Sequence, residues 1–137
     1  MKKERISTPG TRIPPKMFSQ AIKVGNMVYV SGQLGRHPED GHLDIGDSEA
    51  QIRQTFENVR MILEYSGSKM ENIVTLEAHL QNVSDLPILN KVYAELFEDM
   101  EVPPSRCCMG SNLVVEGCLF EVVVSALIDN EWNLVMI

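Results

Sequence analysis

The sequence predicts an α+β fold: one layer of β-sheet with two helices packed on a single face. Three observations point there. β-Prone runs and helix-period segments alternate in the order ββ-α-β-α-ββ. Strand–helix–strand connections are right-handed, so both helices return to the same side of the sheet. The last run, LFEVVVSALI at 119–128, is almost continuously apolar, as expected of a strand covered on both faces.

The elements follow in chain order. After a Pro-rich leader (1–17), AIKV and MVYVSG flank Gly25-Asn26, a two-residue hairpin signal. RHPEDGHLDIGD is rich in turn formers and reads as a loop, with a short strand around Leu43 as an option. Ser48 stands three residues before Gln51, a capping-box spacing. Ile52, Phe56, Val59 and Leu63 then give one helical stripe, and Gly67 stands where a glycine stops a helix. VTLEAHLQ alternates, placing Val74, Leu76, Ala78 and Leu80 on the buried face. Ser84 or Asp85 can cap a second helix with Pro87 in its first turn and an apolar stripe of Leu86, Leu89, Tyr93 and Leu96. Pro103-Pro104 end that region, and 105–113 reads as a short strand before the final one.

Composition limits the function. A chain of 137 residues, 44% hydrophobic and 23% charged, is a soluble globular domain of ordinary size. No apolar run approaches a membrane span, and MKKERISTPGTRIPPK lacks the apolar core of a secretory signal, so a cytoplasmic protein is expected. A net charge of −7 with no basic run argues against a nucleic-acid surface. The three cysteines, two of them adjacent, read as reduced thiols. His37, His42 and His79 are scattered, without zinc-ligand spacing, so no metal is expected. A sheet with helices on one face leaves the other to be buried, which predicts a closed homo-oligomer, and the apolar tail WNLVMI points the same way.

Few residues suggest chemistry. Glu121 interrupts an apolar strand on the face of Leu119, Val123, Ser125 and Leu127. A carboxylate there is either a working acid or base, or it pairs with a neighbouring chain, or it ends at solvent. Arg106 follows two prolines in VPPSRCCMG, and its planar fork suits a carboxylate, although a solvated edge arginine would look the same. If the two final strands pair as a hairpin, Arg106 and Glu121 share one cleft. Cys107 and Cys108 have no histidine near in sequence, so they read as small apolar residues whose strand offers a backbone N–H rather than a nucleophile. Ser31-Gly32-Gln33 ends a strand, where a glycine allows backbone to approach a ligand or simply makes a turn.

These pieces together carry a resemblance. SQAIKVGNMVYVSGQLG, SEAQIRQTFENVRMILEYSG, LNKVYAELFE, VPPSRCCM and FEVVVSALI, in that order over about Ser19 to Ile128, resemble the RidA (YjgF) proteins, the reactive intermediate deaminases. The resemblance implies a single RidA-like domain over 1–137 with a C-terminal extension at 129–137. Its fold would be chorismate-mutase-like, with a mixed sheet of about six strands. It implies a homotrimer with a site in each cleft between subunits. It further implies hydrolysis of enamines and imines such as 2-aminoacrylate and 2-iminobutanoate to 2-oxo acids and ammonia, with no metal or organic cofactor. Residue by residue, Arg106 matches the arginine that holds the substrate carboxylate and Glu121 the glutamate that positions water. Gly32 and Cys108 match backbone N–H positions facing the ligand, and Ser31 and Asn90 match polar residues of the cleft.

There are departures. Phe18 stands where the family has tyrosine, so its ring can pack but its hydroxyl is gone. Cys107 replaces a usual serine, and MGSNLVVEGCLF lacks the usual loop proline. Three functions are compatible with the chain. An imine deaminase needs both Arg106 and Glu121; a trimer that only binds 2-oxo acids needs Arg106 alone, and Phe18 suits it; an endoribonuclease fits an acidic chain least. The presence of both residues favours the first.

Overall fold

A computed structural model describes residues 1–129, so the expectation for the apolar tail and the extension beyond 129 lies outside the described residues. The strands are β1 (Lys3–Ile6), β2 (Ala21–Val24), β3 (Met27–Leu34), β4 (Ile73–Leu80), β5 (Ser105–Gly110) and β6 (Phe120–Leu127), with helices α1 (Ser48–Tyr65) and α2 (Leu86–Phe97). They form one sheet in the order β1-β2-β3-β6-β4-β5. All neighbours are antiparallel except β4 and β5. The expected class, a mixed sheet of six strands with two helices on one face, is the observed one. None of the described helices is long and apolar enough to cross a membrane.

The order of strands departs from a simple reading in two places. The leader contributes β1, which pairs with β2 and extends the sheet by one edge strand. More consequentially, the final strand does not pair with β5. It inserts between β3 and β4, where it is hydrogen-bonded on both sides. The physical reason lies in its composition: Phe120, Val122, Val124 and Ala126 bury completely under the helices, so the most apolar strand takes the centre of the sheet. Among the described residues nothing covers its other face, where Val123 and Leu127 are 36% and 40% exposed.

The core fills the space between that face and the helices. Ile52, Phe56, Val59, Ile62 and Leu63 of α1 meet Leu89, Val92 and Phe97 of α2 over Val28, Leu76, Leu80 and Phe120. Phe56 is its hub, with ring centroids 5.8 Å from Phe97 and 5.7 Å from Phe120. Burial of each such ring stabilises the fold by about 2–3 kcal/mol.

Local details correct several sequence expectations. Asp47, not Ser48, caps α1 by accepting from the Ala50 N–H, while the Ser48 hydroxyl donates to Asp85 Oδ2 at 2.6 Å. That bond occupies Asp85, so neither Ser84 nor Asp85 caps α2 with its side chain. Helix α1 does end before Gly67, which has φ +87°. In β4 the register shifts between Ile73 and Thr75, so Ile73 takes the core position expected for Val74, which is 40% exposed. In α2, Val92 and Phe97 are buried while Leu96 is 40% exposed, a stripe rotated from the expected one. The strand at 105–113 stops at Gly110, and no strand forms around Leu43.

Gln51, expected as a capping-box partner, is fully buried and holds two loops to α1. Its Nε2 donates to the carbonyls of Asp44 and Gly117 at 3.1 and 2.9 Å, and its Oε1 accepts from the Leu119 N–H at 2.8 Å. Gln51→Leu keeps the volume and strands these three backbone groups. The variant is expected to lose about 2–4 kcal/mol of stability in urea denaturation; a loss under about 0.5 kcal/mol would show that the loops re-pair without it.

Candidate active site

The first group of expected site residues gathers where β3 leaves the sheet. The β3–β6 register shifts between Val30 and Gln33, which marks an irregularity at Ser31-Gly32. Ser31 is tied back to the chain entering β2: its N–H donates to the Gln20 carbonyl at 2.9 Å and its hydroxyl to the Ser19 carbonyl at 2.6 Å. That anchor places Phe18, half exposed, beside the strand end. Phe18, Ser31 and Gly32 line a cleft of about 230 Å³ with Arg12, Arg36 and Pro38.

Glu121 on β6 stands directly behind Gly32. A Cβ added at Gly32 would overlap the Glu121 carboxylate, so the glycine is what lets the acid lie against the backbone. The half-buried Glu121 has neither a hydrogen bond nor an ion pair among the described residues.

The second group lies on β5, at the far edge of the sheet. Arg106 is in register with Leu76, which faces the helices. Its Nη2 donates to Asn90 Oδ1 of α2 at 2.8 Å, and its guanidinium lies 4.7 Å from the centroid of the Tyr93 ring. Tyr93 is in turn stacked on Phe97, with centroids 4.4 Å apart. The arginine is thus held by an amide and an aromatic platform that is itself packed into the core. Cys108 shares this face and packs partly against the core, whereas Cys107 points the other way and is exposed. Burial raises the Tyr93 pKa, and the nearby Arg106 charge opposes that rise. Tyr93 was expected only in an apolar stripe; its spacing three residues after Asn90, one helical turn away, is the signal that it shares the arginine's surroundings.

The two groups do not meet within one chain. The hairpin that would have joined Arg106 and Glu121 does not form, because β4 lies between β5 and β6. Arg106 aligns with Leu76 and Glu121 with His79 on that intervening strand. Two strand spacings and three residues of rise separate them by about 10 Å in each direction. The odd offset also puts them on opposite faces of the sheet. A guanidinium and a carboxylate are therefore displayed at different places on the same chain.

The sequence profile described as endoribonuclease L-PSP matches residues 10–128. This chain belongs to the RidA family. A RutC family protein of Aquifex aeolicus is 39% identical over 105 residues, covering 77% of this chain and 83% of that one. A 2-iminobutanoate/2-iminopropanoate deaminase of Dermatophagoides farinae is 36% identical over 108 residues, covering 79% and 83%. The crystal structure of RidA from an Antarctic Psychrobacter superposes with a TM-score of 0.83 at 33% identity, covering 91% of this chain and 99% of that one. The likeness to the RidA proteins read from the sequence is thus borne out, and the sheet with its two helices is the RidA fold.

The electrostatic coupling across the arginine group is open to measurement. In a Tyr29→Phe/Tyr65→Phe background, ultraviolet titration follows Tyr93 alone. Arg106→Met keeps the aliphatic stem and removes the charge that stabilises the phenolate, so the Tyr93 pKa is expected to rise further. An unchanged or lower value would mean that the guanidinium does not sit over the ring in solution.

Proposed function

We propose that this RidA-family chain is a hydrolytic deaminase of short 2-enamine and 2-imine acids, such as 2-aminoacrylate and 2-iminobutanoate, working as a homotrimer in the cytoplasm. The observation that carries the reading is the separation of Arg106 from an unpaired Glu121. Each is poised for substrate, and a cleft between subunits joins the arginine of one chain to the carboxylate of the next. The open face of the sheet, with Tyr29, Val123 and Leu127 exposed, supplies apolar surface for that contact. The named deaminase among the relatives and the unpaired cysteines, which suit a reducing compartment, support it.

The chemistry asks little of the protein. Asn90 engages one side of the Arg106 fork, and the remaining N–H groups accept the substrate carboxylate, with backbone N–H groups of Gly32 and Cys108 completing its seat. Glu121 takes a proton from water as the oxygen adds to the imine carbon, and the imine nitrogen is protonated. Glu121 then gives its proton to the amine nitrogen of the carbinolamine and takes the hydroxyl proton as the C–N bond breaks, so that ammonia leaves and a 2-oxo acid remains. Positioning and electrostatics account for the acceleration. Phe18 contributes an apolar wall and no proton relay.

The test is the decay of 2-iminobutanoate generated in situ. The wild type is expected to accelerate it, and Arg106→Ala and Glu121→Gln each to lose on the order of 100-fold. Refolding the two inactive variants together tests the shared cleft. Roughly three quarters of random trimers are mixed, and each holds one complete cleft in three, so about a quarter of wild-type activity returns if clefts are shared. No recovery in verified mixed trimers would place both residues of a site in one chain. A folded wild-type trimer that gives no acceleration would support the metabolite-binding alternative instead.

Gly32→Ala probes the same site from the side of β3. Its methyl displaces the flexible end of Glu121 rather than rigid backbone, so stability is expected to change by less than about 1 kcal/mol. Turnover should fall, and the Gly32→Ala/Glu121→Gln double variant should be no slower than the worse single one. Additive losses would show that the glycine acts independently of the carboxylate.

A further inference from the structure

The turn-rich loop between β3 and α1 brings together residues that look scattered in the sequence. His37 Nε2 lies 2.8 Å from Asp44 Oδ2, and His42 Nε2 lies 3.8 Å from Asp44 Oδ1. One ligand atom from each of His37, His42 and Asp44 falls within 4.8 Å of the others. The two imidazoles are stacked 4.2 Å apart with an interplanar angle of 8°. A fourth residue orients the set: Asp40 Oδ1 accepts the His42 backbone N–H at 3.0 Å and contacts the ring Nδ1 at 2.6 Å.

We propose that His37, His42 and Asp44 form a binding site for a borderline divalent cation of the zinc type. In the tautomer of His42 with its proton on Nδ1, that proton is held by Asp40 and Nε2 keeps a free lone pair near the Asp44 carboxylate. Two lone-pair atoms then face each other at a distance too long for a hydrogen bond, and a cation satisfies both. Around a tetrahedral zinc ion, ligand atoms at 2.0–2.2 Å from the metal lie about 3.3–3.5 Å apart. The observed 2.8 and 3.8 Å bracket that value, and because the two rings are stacked with parallel planes, the more exposed His42 ring must turn out of the stack to bring its in-plane lone pair onto the ion. For Nε2 of His37 to ligate, its ring proton sits on Nδ1, so the ion takes the place of the hydrogen bond between His37 and Asp44. Two imidazoles and one carboxylate suit zinc or nickel and disfavour magnesium and calcium, and three protein ligands leave one position for water.

The loop is already built to hold the ligands in place. The His37 N–H donates to the His42 carbonyl at 2.9 Å and the Gly41 N–H to the His37 carbonyl at 2.8 Å, closing a tight ring between the two histidines. Gly41, at φ +80°, makes that closure. Arg36 Nη1 ties down the Gly41 carbonyl at 2.9 Å. Asn58 and Gln51 of α1 hold the carbonyls of Arg36 and Asp44 at 2.8 and 3.1 Å. An ion here would brace Arg36 and Pro38, which line the cleft containing Phe18 and Gly32.

The experiment titrates zinc into chelator-stripped full-length protein by calorimetry, with histidine ring resonances followed by NMR. One ion per chain is expected, with a dissociation constant on the order of 1 μM or below. The His37 and His42 rings should shift while His79 does not. His37→Ala and His42→Ala should weaken binding by on the order of 100-fold and Asp40→Ala by about 10-fold, with the far-ultraviolet spectrum reporting that each variant folds. Binding no tighter than millimolar would overturn the proposal. So would an affinity unaffected by the histidine variants but lost in Cys107→Ser/Cys108→Ser, which would assign the ion to the adjacent thiols.

Discussion

The insertion of β6 between β3 and β4 is the constraint from which the rest of this structure follows. Its even-numbered residues form the floor on which α1 and α2 rest, and its hydrogen bonds on both sides fix the registers of β3 and β4. The same insertion drives β5 to the edge. Arg106 is thereby parted from Glu121, and the period-two alternation of β6 turns the carboxylate to the face without helices. Core formation and the display of separated functional groups are consequences of one strand placement.

The helices shape the candidate site through their polar residues as much as through their apolar ones. Helix α1 uses the buried Gln51 and Asn58 to hold the loop after β3, whose Arg36 and Pro38 line the cleft, and Gln51 also holds the loop before β6. Helix α2 presents Asn90 and Tyr93 to Arg106 from one turn, and Phe97 fastens the tyrosine to the core through Phe56. The candidate site residues are therefore supported by elements whose movement would open the core. A charged lattice of Glu49, Arg53, Lys91 and Glu95 joins the outer faces of the two helices. It is solvent-exposed and contributes far less than the packing beneath it.

Much of the fold was legible because its signals are local. The Gly25-Asn26 hairpin, the α1 stripe and its stop at Gly67, and the alternation of β4 are each carried by neighbouring residues. The misplacements arise where a distant partner intervenes. Ser48 and Asp85 look like helix caps until they bond each other across 37 residues of chain. Val74 leaves the core because β4 shifts register against β6, whose paired residues at that point, Ser125 and Ala126, lie far along the chain. Leu96 gives way to Val92 and Phe97 because the orientation of α2 is set by the Phe56 hub and the sheet, not by its own sequence.

For the candidate site, the sequence by itself determined which side chains are available and their chemistry: a guanidinium after two prolines, a carboxylate in an apolar strand, a glycine at a strand end, and the family order of motifs that joins them. It could not decide which of them meet, because strand order is a property of the whole sheet. Only the tertiary structure separated Arg106 from Glu121, set Gly32 against the carboxylate, and folded His37, His42 and Asp44 around one point. The physical reason is the same in each case: side-chain identity is written residue by residue, whereas proximity comes from backbone hydrogen bonds and burial between segments far apart in the chain.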